Sequence, residues 1–121
     1  MTAPHIHKYG EIIQNIVEKT KRDLLEWKID PLDELYCKIG DYLVYAKSIR
    51  DADGEPFEVI EIVVNDRVID RFSDGDLRQL DPPLNYDNYY MLMLDLHTIA
   101  NRKALGSDLF LDDLLFNLKK F

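Results

Sequence analysis

The chain has 121 residues, 46% of them hydrophobic and 31% charged, the balance of a globular protein rather than of a disordered one. That length suits one domain with a core of its own, so residues 1–121 are read as a single domain. Fifteen basic residues against 23 acidic ones leave a net charge of −8, which argues against nucleic acid and against an anionic membrane as partners.

In chain order, residues 1–8 read as a short polar, flexible arm whose only features are Pro4 and the pair His5 and His7. A helix follows from about Tyr9. Ile13, Ile16, Val17, Leu24 and Trp27 fall on one helical face, and Pro31 ends the run because the residue before a proline is pushed out of the helical region. The middle of the chain predicts four strands. Residues 35–39 come first, then a Gly40-Asp41 turn, then 42–50, rich in β-formers. The polar stretch 51–56 reads as a hairpin loop, 57–64 as the strongest strand, Asn65-Asp66 as a tight turn and 67–72 as the return strand. Short connections between strands imply an antiparallel meander.

Residues 73–85 form a connector with a possible helical turn. A long helix is expected over 86–105, capped by Asn85 or Asp87 and stopped by Gly106 in a left-handed cap. Ser107 or Asp108 caps a last helix over 109–120. Helix, grouped strands, then helices imply an α+β fold: an N-terminal helix, a four-stranded antiparallel meander and two C-terminal helices packed on the sheet.

Two segments hold more apolar surface than a one-sided element needs. The strand 57–64 is apolar on both faces, and the helix 86–105 has Met91, Leu92 and Leu94 outside its main stripe. Either helices cover both faces of the sheet, or a homodimer or another partner buries Phe57, Val59, Val63, Met91, Leu92 and Leu94. The charge is also uneven. Residues 51–76 hold nine acids against Arg67 and Arg71, a local net of −7. Asp51, Asp53, Glu55, Asp74 and Asp76 are therefore candidate residues for docking a basic partner, with a solvated, aggregation-resistant edge as the plainer reading.

Signals for chemistry are sparse. Cys37 is the only cysteine, which excludes an intramolecular disulfide and a cysteine zinc site and suits a reducing, cytoplasmic compartment. It falls in a strand pattern, where a buried, inert thiol is expected. No basic start followed by an apolar run suggests a signal peptide, and no apolar run approaches the roughly 20 residues that span a bilayer. Residues 51–55 lack the spacing of a calcium loop, and His5 and His7 on an arm lack further ligands. Asp95 is two residues from His97 and so on another helix face. The five glycines are scattered and form no phosphate loop. No catalytic residue, metal or cofactor is predicted.

The leading expectation is a small acidic, non-enzymatic protein-interaction domain, for instance an immunity or antitoxin-like inhibitor of a basic partner, or one that pairs with itself. The alternative is a small-molecule-binding or enzymatic domain with a pocket between the sheet and the long helix, lined by Tyr45, Tyr89, Tyr90 and His97.

Overall fold

The computed structural model describes residues 4–121. Helix α1 spans Pro4–Lys21 and is followed by strands β1 (Trp27–Ile29), β2 (Leu35–Ile39), β3 (Tyr42–Arg50), β4 (Pro56–Val64) and β5 (Arg67–Ser73). A 3-10 turn at Asp74–Leu77 leads to α2 (Tyr89–Leu105) and α3 (Ser107–Leu118). The fold is α+β as expected, but the antiparallel sheet has five strands, in the order β1-β2-β3-β4-β5.

The extra strand comes from the end of α1. The predicted helix ran on toward Pro31, yet it stops at Lys21 because Asp23 takes a left-handed conformation with φ 62°. The amide of Leu24 then donates to the carbonyl of Lys19, and that of Asp23 to Thr20, the paired bonds of a Schellman ending. Aspartate in place of glycine hides this stop. Trp27 therefore enters the core from a strand, paired with Cys37, while Leu24 is 58% exposed rather than on the buried face. The start of α1 also differs from expectation. Of the predicted arm, residues 1–3 lie outside the described part, and Pro4–Lys8 form the first turns of the helix. A proline is tolerated there because that amide has no partner in a helix's first turn.

Strands β2 to β5 match the sequence closely. Asn65 and Asp66 both take positive φ, 51° and 64°, and close the β4–β5 hairpin with the twist that favours two-residue turns. Beyond that turn the register shifts: Ile62 faces Asp70 and Val63 faces Val68, so Ile69 is an unpaired bulge residue.

Helices α1 and α2 lie on one face of the sheet. Ile13, Ile16 and Val17 of α1 join Leu92, Met93, Leu96 and Ala100 of α2 over Cys37, Val44, Ala46, Ile60 and Phe72. Among the described residues no helix lies on the opposite face. It carries Tyr36 packed on Tyr45, and Glu61 accepting from Lys47 Nζ at 2.8 Å beside Arg71. Helices thus do not cover both faces. Much of the apolar excess is nevertheless absorbed within the chain, since Val59 and Leu92 are buried, while Met91 remains exposed.

Helix α2 begins three residues later than expected. Asn88, rather than Asn85 or Asp87, is its cap and accepts from the amide of Met91 at 2.8 Å. Its end is as read from the sequence, with Gly106 at φ 64° and ψ 34°. The last helix departs from expectation in one respect: α3 packs against the end of α2 rather than on the sheet, and none of its residues is buried.

Candidate functional site

Helix α3 reads SDLFLDDLLFNL, in which seven of twelve residues are leucine or phenylalanine. Leu109, Phe110, Leu111, Leu114, Leu115, Phe116, Leu118 and, just beyond the helix, Phe121 are each at least 48% exposed. Leaving that much apolar area in water is unfavourable at roughly 25 cal/mol per Å2. A helix of this length is also marginal on its own, because nucleation costs more than a few turns return. Local chemistry holds its N-terminal end. Gly106 supplies the left-handed link, and Arg102 Nη2 donates to Asp108 Oδ1 at 2.6 Å across the junction.

A second unpartnered apolar surface lies on the body. An open groove of about 710 Å3 runs between α1 and the sheet. One α1 stripe, Lys8, Glu11, Ile12, Asn15, Ile16 and Lys19, forms its wall, and Val44, Ile62 and the bulge residue Ile69 contribute its floor. The register shift in β5 is what brings Ile69 to this side.

The five acids singled out from the sequence lie at one end of the sheet, because the start of β4 pairs with the end of β5. Three of them bond backbone amides. Asp51 Oδ1 accepts from Asp53 and Glu55 within the hairpin loop. Asp74 Oδ1 accepts from the Glu58 amide at 2.7 Å, and Asp76 Oδ2 from that of Ser73 at 2.8 Å. Asp53 and Glu55 extend into solvent.

Behind this rim sits a polar cluster that sequence reasoning missed. The Ser48 hydroxyl donates to Glu58 Oε2, and His97 Nδ1 lies 3.6 Å from Glu58 Oε1. Burial pushes the Glu58 carboxyl above its ordinary range, opposed by the Ser48 hydrogen bond and reinforced by Asp74. Burial also pushes the His97 imidazole below its ordinary value. Both shifts favour neutral forms, the arrangement of a packed polar cluster rather than of a charged pair. The sequence weighed His97 only against nearby Asp95, whose carboxylate instead accepts from the Tyr86 hydroxyl, itself accepting from Lys21 Nζ.

A prediction follows from Glu58. A carboxyl whose folded pKa is raised contributes stability that is full below the unfolded value of 4.5 and is lost as pH rises through the folded value. Glu58→Gln removes that loss while an amide oxygen still accepts from Ser48. Calorimetry should find the variant at least as stable as the wild type at pH 7, with its advantage shrinking by pH 4. A variant clearly less stable at pH 7 would show that the carboxylate is needed in its charged form.

The four residues of the expected sheet–helix pocket point to different places. Tyr45 is on the helix-free face of the sheet, against Tyr36. Tyr89 is buried, and its hydroxyl accepts from Gln14 Nε2 of α1 at 2.8 Å. Tyr90 is half-buried, and His97 belongs to the Glu58 cluster. Cys37 is fully buried in the middle of β2, and burial pushes its thiol up to about 12, which leaves it protonated and inert. Among the described residues no group of three or more His, Cys, Asp or Glu could hold a metal, and no helix is long and apolar enough to cross a membrane.

The apolar character of α3 was visible in the sequence as seven large side chains in twelve positions. Its exposure was not, because composition alone cannot tell a buried helix from an unpartnered one. Comparison with protein-family models, curated proteins and solved structures finds no match. A functional reading therefore rests on these surfaces alone.

Proposed function

We propose that this chain is a non-enzymatic protein-interaction domain that docks through α3. The observation that carries the reading is the set of exposed leucine and phenylalanine side chains on a helix that, among the described residues, packs chiefly against α2. Apolar patches of this extent mark interaction surfaces, and an amphipathic helix laid into a groove is a recurrent mode of recognition. Phe110, Leu114, Leu118 and Phe121, spaced i, i+4, i+8 and i+11, are the anchors. The acidic end of the sheet is secondary in this reading. Three of its five acids bond backbone amides, which leaves Asp53 and Glu55 to steer a basic partner that this chain, as an immunity or antitoxin-like protein, would inhibit. A reducing, cytoplasmic setting suits the buried thiol of Cys37.

Crosslinking in the cells that make the protein tests the reading. The full chain should be captured in a species heavier than itself. Leu114→Asp combined with Leu118→Asp should be captured at the mass of one chain. The melting temperature of the body should stay within a few degrees, since neither leucine is buried. A full chain captured only at its own mass would reject docking through α3.

A further inference from the structure

We propose that the occupant of the α1–sheet groove is α3 of a second copy of this chain, exchanged reciprocally so that each copy's helix lies in the other's groove. The inference rests on the docking reading above and names its partner.

The first reason is that α3 cannot easily use its own groove. Its junction is fixed by the left-handed Gly106 and by the Arg102–Asp108 pair. The groove is formed by the flank of α1 that carries Lys8, Ile12 and Lys19, whereas a different flank, through Gln14 and Lys21, bonds Tyr89 and Tyr86 beside α2. Reaching the groove from the end of α2 would require α3 to pass around α1.

The second reason is length. The α1 wall runs from Lys8 to Lys19, eleven residue steps, or about 16 Å at the helical rise. Helix α3 runs from Ser107 to Leu118, also eleven steps.

The third reason is charge. The wall ends in Lys19 at one side, and at the other Glu11 and Asp70 stand with Lys8. Asp70 belongs to that end because it accepts from the hydroxyl of Tyr9, the neighbour of Lys8. Lys119 and Lys120 follow the last turn of helix α3. Laid antiparallel to α1 of the other copy, it brings the lysines that follow its last turn to the end where Glu11 and Asp70 stand. In the same pose Phe110, Leu114 and Leu118 face Ile12, Ile62 and Ile69. An exchange of one helix for one groove is isologous and closes at two chains, covering both apolar surfaces at once.

Two variants of the full chain and their mixture provide the test. Sedimentation of the wild type at micromolar concentration should give twice the chain mass. Ile12→Glu with Ile69→Glu should spoil the groove, and Leu114→Asp with Leu118→Asp the helix. Each should sediment as a monomer with unchanged circular dichroism. Their equal mixture should recover a mixed dimer, because it retains one intact helix–groove contact, and two misfolded variants could not rescue each other. A groove variant that dimerises like the wild type would overturn the proposal in favour of α3 pairing with α3. Failure of the mixture to associate at any concentration would overturn reciprocal exchange. A wild type that stays monomeric when purified, yet is crosslinked through α3 in cells, would overturn the second copy while leaving the docking reading in place.

Discussion

Replacing Trp27 with alanine should reduce the unfolding free energy by about 3–5 kcal/mol, the range for removing a large aromatic from a core. Trp27 is the inward side chain of a strand only three residues long, and it is 4% exposed. Its Nε1 donates to Thr20 Oγ1 at 3.0 Å, joining the last turn of α1 to the first strand of the sheet. The truncation therefore leaves a cavity and also a fully buried Thr20 hydroxyl without its donor, which adds to the cost. Urea denaturation at fixed protein concentration measures the effect, the fixed concentration being needed because any association adds to apparent stability. A loss below about 1 kcal/mol would mean that Trp27 is not packed as described.

Phe72→Ala should cost a similar amount but act in a different place. Strand β5 is an edge strand, and along it only Phe72 is buried, while Val68 and Ile69 are each 56% exposed. The Phe72 ring stacks on Tyr9 with centroids 4.4 Å apart. The Tyr9 hydroxyl donates to Asp70 Oδ1 at 2.7 Å, and this bond, followed by burial, pushes the phenol up to about 12. One side chain thus seats a whole strand against α1. Its loss should raise amide exchange across Arg67–Ser73 by more than across β2 and β3, a local opening superimposed on global destabilisation of about 3–5 kcal/mol. Uniform acceleration over all five strands would show that β5 is held chiefly by its ladder.

The contrast between these two aromatics shows what could be read from the residues. Strands β2 to β5 were legible because alternation, Gly40-Asp41, Asn65-Asp66 and the polar loop 51–56 all agree about where the chain turns. Strand β1 was not, because three residues carry too little periodicity and because Leu24 and Trp27 also fit a helical stripe. The decisive event was a left-handed Asp23, a conformation that sequence patterns assign first to glycine. The Ser48–Glu58–His97 cluster was hidden for another reason. Its members come from three elements and meet only when the sheet is folded under α2. The acids at 51–55 and 74–76 were legible as charge, but the backbone amides that three of them bond were not.

The position of α3 after the core residues has a consequence for how the protein is made. Every residue of the hydrophobic core, from Tyr9 to Ala100, precedes it in the sequence. During synthesis, which releases the N-terminal parts first, the residues that supply the core leave the ribosome ahead of α3. The most apolar of the described helices therefore emerges after every residue of the core. The exposed leucines and phenylalanines of α3 are thus offered to the core only after Ile13, Ile60 and Leu96.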